Sequence, residues 1–469
     1  MDRRSFLKSS GLLVGGLYLS GKAFANILAK DQGKPITGTV KHRGKGIANA
    51  VISNGYEVVL TDKKGRYHLP ANAQAQHVFL STPAGYQIKS VAGFATFYIS
   101  TVQGDYSFEL EKTPYDDINH SFLALGDPQI REAEDIRQFY IESIPDIQAF
   151  LASTDKNRFH GCSLGDSIWD TPKMWAAYKD GIAKIGIPFF QVIGNHDKQE
   201  ATDTESDNAR LFKKQFGPTY YSFNRGKVHY VVLDDIRYKT IKEYDGHISI
   251  EQLAWLKKDL SHVPKNHLIV ISLHIPVHTS VKNKEDLYAL LTTYEQVHIL
   301  SGHTHTNFNH VMNNIYEHTV ATLCGAWWTG SICADGTPRG YGVFEVKDTT
   351  ISWFYKPIGQ PFDYQFHTAI QKLNHGINRI TVNVWNYDPQ WKVTWYADGT
   401  FMGDLEQIKG FDERAVSMYK GEKLPADRRG WVEPKRTNHL FYAQSEAKSI
   451  RIVVHDRFGH QYEETLNLK

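Results

Sequence analysis

Between residues 118 and 356, short apolar runs alternate with longer segments of helical period. The runs Phe122–Leu125, Phe159–Leu164, Phe189–Ile193, Val228–Leu233, Leu268–Leu273 and Val297–Leu300 read as strands. Between them, Ile130–Ala152, Lys173–Ile185, Asp203–Phe216 and Ser249–His262 read as helices, the first with a break expected near Pro145. Strand–helix alternation predicts an α/β domain. On either side the pattern is purely β. Residues 34–112 carry short runs such as Glu57-Val58-Val59-Leu60, His77-Val78-Phe79-Leu80 and Phe97-Tyr98-Ile99, bounded by Gly, Asn, Asp or Pro. Residues 357–469 carry alternating runs at 379–385, 391–396 and 449–454, with Asp398-Gly399 as a turn.

Polar motifs follow directly after the central apolar runs: Gly126-Asp127-Pro128-Gln129, Gly165-Asp166, Gly194-Asn195-His196-Asp197, Leu273-His274 and Gly302-His303-Thr304-His305. In an open α/β sheet, ligands bind beyond the carboxyl ends of the strands, which is where all five fall. Carboxylate, amide and imidazole together are the donor set of a hard or borderline divalent ion. Two such ions can clamp an in-line displacement at phosphorus and hold a hydroxide between them. That requires a bridging carboxylate, for which Asp166 is the candidate. It also requires separate caps for the two ions. His303 and His305 are two residues apart, so their side chains leave an extended segment on one side. Asn195 and His274 supply an amide oxygen and an imidazole.

Composition narrows the partners. The chain has 469 residues, 53 Lys and Arg against 51 Asp and Glu, and 41% hydrophobic residues. That length predicts two or three domains, and the charge balance gives no basic field for nucleic acid. The 13% aromatic content suits several sandwich cores better than a glycan-facing or lipid-facing surface. Residues 1–25 read as a twin-arginine-type export signal. Arg3-Arg4-Ser5-Phe6-Leu7-Lys8 precedes a glycine-diluted apolar stretch, and Ala23-Phe24-Ala25 forms a small-x-small cleavage site. The stretch is too short to span a bilayer, and no other long apolar run occurs. The expectation is a periplasmic protein with no transmembrane segment in the mature chain. Cys162 reads as a buried free thiol, and Cys324 and Cys333 admit a pairing in an oxidising compartment.

The five motifs, in order over about 240 residues, resemble the calcineurin-like metallophosphoesterase family, exported bacterial type with N- and C-terminal β modules. Gly46–Val51 followed by Thr61–Tyr67 resembles the transthyretin-like or carboxypeptidase-regulatory sandwich. The resemblance implies an α/β fold: a metallophosphoesterase-type α/β sandwich over 118–356, flanked by a β-sandwich over 34–112 and a small β domain over 357–469. It implies one metal on Asp127, Gln129, Asp166 and His305 and another on Asp166, Asn195, His274 and His303. His196 is then the general acid or the donor to a phosphoryl oxygen. Gln129 stands where the family usually has His. A neutral, harder ligand there shifts preference towards Mn²⁺ or Mg²⁺ and away from Zn²⁺, so the expectation is two divalent ions, Mn²⁺ first, with Mg²⁺, Fe²⁺ or Zn²⁺ as alternatives. Trp169 stands where purple acid phosphatases have an iron-binding Tyr, which disfavours a tyrosinate–iron site. The carboxylate orienting His196 is then Asp170 or Asp197.

Weaker candidates are Trp327 and Trp328, as pocket walls for an apolar or sugar part of the substrate, and Arg339, as an anion partner. His278 is a second possible lining residue. His229 reads as a strand histidine, and Lys257 and Lys258 as the solvated face of a helix. The expected activity is metal-dependent hydrolysis of phosphate mono- or diesters, on a small-molecule, lipid or glycan phosphate ester. The alternative is a cell-envelope binding protein for glycan or protein on a degenerate scaffold. Loss of activity in Asn195→Ala would favour the hydrolase, and retained ligand binding the alternative.

Overall fold

The central apolar runs become parallel strands of two facing sheets in the computed structural model, which describes residues 34–198, 208–240 and 243–468. The export signal read at residues 1–25 and the start of the helix expected over 203–216 lie outside the described residues. One sheet runs, in spatial order, Thr350–Pro357, Gly340–Lys347, Asn119–Leu125, Phe159–Ser163, Phe189–Gln191, Phe94–Ala95 and Ser90–Val91. The other runs Tyr221–Arg225, Val228–Val232, Leu268–Ser272, Val297–Ser301, Ile315–Thr319 and Phe308–Met312. The strands Phe159–Ser163, Val228–Val232, Leu268–Ser272 and Val297–Ser301 are buried at every position. A strand covered on both faces selects continuous apolar character rather than alternation. Phe122 and Ala124 point into the core between the sheets, with Phe190, Phe223 and Tyr230. Their neighbours Leu123 and Leu125 point outward beneath the helices Ile144–Ala152 and Trp175–Ile185.

The helix expected over Ile130–Ala152 is continuous rather than broken. It contains a π-helical turn over Phe139–Ser143, between Ala133–Gln138 and Ile144–Ala152. Pro145 lacks an N–H and crowds the preceding turn, and the wider turn absorbs both effects. The antiparallel edges at 308–319 and 340–357 are not foreseen by the pattern. They mix His, Asn and Glu with apolar residues, or open on Gly-Tyr-Gly, and so lack a clean strand signal.

Two flanking modules dock on this centre. The N-terminal one is a pair of four-stranded sheets around Val40, Ile52, Tyr67, Leu69, Val78 and Leu80. Its Asp62 carboxylate receives the N–H groups of Lys64 and Arg66, which closes the turn between two strands. The module is not cut off from the α/β centre: Phe94 pairs with Phe189 and extends the first sheet. The fully buried Trp255 donates its indole N–H to Ser53 at 3.0 Å, and Lys258 bridges to Glu57 at 2.8 Å. Lys258 therefore joins two modules, where a solvated face was expected.

The C-terminal module also pairs two four-stranded sheets, around Ile380, Val382, Val393, Ile450, Ile452 and Val454. Asp398 and Gly399 both have positive φ (44° and 81°), as a two-residue hairpin turn demands. An additional helix, Glu413–Lys420, is capped by Asp412 on the Ala415 N–H. Its Ala415 and Tyr419 pack on Ala326 and Ile332, so this module rests on the loop that carries Trp327.

Trp255→Ala removes a buried indole and its bond across the N-terminal interface. It is expected to cost about 3–5 kcal/mol in denaturant unfolding. A loss under about 1 kcal/mol would show that the interface contributes little.

Candidate metal centre

Each predicted ligand lies just past the carboxyl end of a parallel strand, and the chain must turn sharply there to converge. The backbone shows the cost of turning. Asp127 (φ 38°), Gln129 (43°), Asp166 (50°), His303 (71°) and His305 (53°) all occupy the left-handed region, as does Asp170 (49°). Side-chain-bearing residues adopt that region rarely, and their clustering marks a site whose geometry the surrounding fold over-determines. The motif glycines have a steric reason. A Cβ on Gly194 would lie 2.1 Å from the Asp166 backbone nitrogen, and one on Gly302 would lie 2.3 Å from Oδ2 of Asp127.

The donor atoms converge in two groups. Ligand atoms of Asp166, His274 and His303 all lie within 4.8 Å of one another. His274 Nε2 is 3.4 Å from Asp166 Oδ2, 3.0 Å from Asn195 Oδ1 and 3.2 Å from His303 Nδ1. The other His274 nitrogen, Nδ1, donates to the Leu164 carbonyl at 2.8 Å, which fixes the ring so that Nε2 faces the centre. Beside this group, His305 Nε2 is 3.8 Å from Asp127 Oδ1, and its Nδ1 donates to the Gly325 carbonyl at 2.6 Å. Gln129 Nε2 donates to Asp166 Oδ2 at 3.1 Å. Presenting the Gln129 oxygen to a cation requires the amide to turn over, exchanging nitrogen for oxygen.

Asp127, Gln129, Asp166, Asn195, His274 and His305 are all at most 2% exposed. Burial pushes the Asp127 carboxyl above its usual range; His274 pulls it back and Asp166 adds to the rise. Burial acts the same way on Asp166, but His274 and His196 overcome it and hold that carboxyl low. Burial disfavours charge on His274, yet Asp166 raises it to about 10. The proton that His274 then carries on Nε2 occupies the point on which Asp166 and Asn195 converge. A divalent cation would replace that proton. Burial lowers His303 and His305 to about 3, so both rings are neutral and have a lone pair to give. Buried anions, neutral imidazoles and an amide oxygen around one point fit metal ions.

His196 stands apart from the ligand cluster. Its backbone N–H donates to Asp166 Oδ1 at 2.8 Å, and its Nδ1 donates to Asp170 Oδ2 at 2.8 Å. Burial opposes a proton on its ring, but Asp166 and the Asp170 bond outweigh burial and raise its pKa. Asp170 is therefore the carboxylate that orients His196. Asp197 acts differently, receiving the N–H groups of Ile168 and Gly194 and tying two motif loops together. Asp235, which sequence reasoning missed, receives the N–H groups of His274 and Ile275. Its signal was present: an acidic residue just past a parallel strand, as at Asp127 and Asp166.

The remaining candidates separate. Trp327 stacks on His305 with ring centroids 4.0 Å apart, so it borders the centre. Trp328 does not: it is 2% exposed, its N–H donates to the Pro128 carbonyl, and it belongs to the outer core. Arg339 is paired with Glu142 and donates to Gln138, leaving its charge taken up. The expected substrate roles of Trp328 and Arg339 are thus corrected, because one ring is core and one guanidinium is neutralised. His278 is held by Glu317, and His229 by Asn224 and Asp259 within its strand. Cys162, Cys324 and Cys333 are all free and buried.

In metal-free protein, two buried carboxylates face each other. Asp127→Asn is expected to raise the thermal midpoint of metal-stripped protein and to diminish any gain on adding Mn²⁺. A fall in the metal-free midpoint would contradict the like-charge account.

Comparison with known proteins finds matches along most of the described chain. Family models described as the N terminal of calcineurin-like phosphoesterase, calcineurin-like phosphoesterase, and the C terminal of calcineurin-like phosphoesterase match residues 34–113, 120–307 and 317–462. The chain is similar to a probable glycerophosphodiester phosphodiesterase of Arcobacter nitrofigilis, 29% identical over 170 residues, covering 32% of this chain and 58% of that one. It is also similar to purple acid phosphatase 15 of Arabidopsis thaliana, 28% identical over 198 residues, covering 38% of this chain and 34% of that one. The chain thus spans less than two thirds of the length of these curated relatives. Among solved structures, a purple acid phosphatase from yellow lupin (Lupinus luteus) seeds aligns at 12% identity and a TM-score of 0.38, over 79% of this chain and 73% of that one. With all three models falling in order along 34–462, the chain belongs to the calcineurin-like phosphoesterase family.

Proposed function

We propose that the protein is an exported, metal-dependent hydrolase of phosphate mono- or diesters. The observation that carries this reading is the convergence of Asp166 with His274 and His303, beside a His196 whose Nδ1 is paired with Asp170. Asp127, Gln129, Asp166 and His305 would hold one divalent ion, and Asp166, Asn195, His274 and His303 a second. Two such ions would neutralise charge on the phosphoryl group and would activate water at neutral pH. The mixed oxygen and nitrogen donors favour Mn²⁺. The twin-arginine-type leader read at residues 1–25 supports export to a periplasm. Among the described residues no helix is long and apolar enough to cross a membrane.

The work of this chain's own residues follows from the hydrogen bonds. With Nδ1 given to Asp170, the second nitrogen of His196 is left for the substrate. Protonated, that nitrogen donates to a phosphoryl or leaving-group oxygen as negative charge grows there. Such a charge-assisted bond contributes about 2–4 kcal/mol to the transition state. Asp170 keeps the ring oriented and holds the proton on it. The loop ties from Asp197 and Asp235 keep the surrounding backbone from relaxing.

Metal-stripped protein reloaded with Mn²⁺ is expected to hydrolyse p-nitrophenyl phosphate, bis-p-nitrophenyl phosphate or both. No turnover of either by Mn²⁺-loaded protein would sink the proposal. The pH profile tests His196. Its acid form donates, so activity falls as pH rises through its pKa. Asp170→Asn removes a carboxylate that raises this pKa. The alkaline limb should therefore move to lower pH, by roughly one to two units. An unmoved limb would mean that His196 is not the donor.

A further inference from the structure

A wall of tryptophans stands beside His196, and part of it comes from the C-terminal module. The Trp169 ring lies edge-on to His196 (centroids 5.5 Å apart) and edge-on to Trp431 (5.1 Å). Trp169 also meets Trp327 at 6.4 Å, and Trp327 is stacked on His305. A single ring thus separates Trp431 from the proposed proton donor.

The wall is built rigidly. Arg429 donates to the Trp327 carbonyl at 2.9 Å, reaches Asp135 at 2.7 Å and lies over the Trp169 ring at 5.4 Å. Arg131 lies over the same ring at 5.2 Å. Val432, next to Trp431, is fully buried against the helix Glu413–Lys420 and fixes the segment. Lys435 donates to the carbonyl of Thr304, between His303 and His305. The faces of Trp169 and Trp327 are engaged by guanidinium and imidazole. Trp431 is different: it is 48% exposed although it sits on an ordered wall.

We propose that Trp431, held in place by Trp169 and its neighbours, forms the aromatic face of a leaving-group subsite that selects phosphate esters carrying a planar aromatic ring. This rests on the phosphoester-hydrolase reading for the position of the phosphoryl group. Indole surface held edge-on rewards a flat π system over a flexible alkyl chain, because both partners are rigid and their quadrupoles match. The subsite also explains why the C-terminal module lies where it does. That module carries Trp431, Arg429 and Lys435 to the mouth of a centre whose candidate ligands all come from the α/β domain.

The test is calorimetric binding of phenylphosphonate and methylphosphonate to Mn²⁺-loaded full-length protein, with turnover of both p-nitrophenyl phosphate and bis-p-nitrophenyl phosphate measured on the same samples. Wild-type protein should bind the phenyl compound about tenfold tighter or more. Trp431→Ala should bring the two affinities close together, and Trp431→Phe should keep most of the difference. Turnover by wild-type protein with an unchanged affinity ratio in Trp431→Ala overturns the subsite and leaves the hydrolase standing. No turnover by wild-type protein overturns the hydrolase, and the phosphonate ratio still decides whether the wall selects a ring. No preference for phenyl in wild-type protein also overturns the subsite.

Discussion

Two carboxylates that water cannot reach, Asp127 and Asp166, set the terms for everything around them. Taking one such charge out of water is costly, and taking two to adjoining positions is more so. The fold meets this with a proton held on His274, with backbone N–H groups from His303 and His196, and with an amide from Gln129. The glycines at 194 and 302 exist because the carboxylates crowd against them. The left-handed turns exist because five segments must bend toward one point. A site this constrained and this electrostatically unfavourable is kept for a cation.

The flanking modules serve the same end by different means. The N-terminal sandwich adds Phe94–Ala95 to a central sheet and receives the indole N–H of Trp255, so it stiffens the scaffold. The C-terminal sandwich lies across the other end, where Asp335 receives the N–H of Asn307 and faces His439 of the last module at 3.2 Å. That link ties the loop after His305 to the C-terminal strands. Loop position at the metal centre is therefore set from both the α/β domain and its neighbour.

Much of this was legible along the chain. The parallel strands announced themselves because they are buried on both faces, and the candidate ligands because they follow those strands at the binding edge. Elements fixed by long-range pairing were not legible. The 90–95 hairpin is too short to carry a period and exists because Phe189 offers it a partner. The strands at 308–319 carry His310 and His318, whose polarity hides the pattern until the cross-strand partners Glu317, opposite His310, and Asn309, bonded to His318, are seen. At the site, local motifs named the candidate ligands, but the choice between Asp170 and Asp197 rests on hydrogen bonds between distant loops, since both flank the same motifs. Trp328 and Arg339 misled because adjacency in sequence to a site says nothing about which side of a loop a side chain takes. Trp431 lies more than 200 residues beyond His196 and carries no motif.

Whether the buried cluster is a two-metal centre can be decided by anomalous scattering from crystals of the protein grown with Mn²⁺. Two peaks are expected, one among Asp127, Gln129, Asp166 and His305 and one among Asp166, Asn195, His274 and His303, with Asp166 shared. Absence of ordered metal between Asp166 and His274, or a metal bound elsewhere with this cluster still protonated, would contradict that reading.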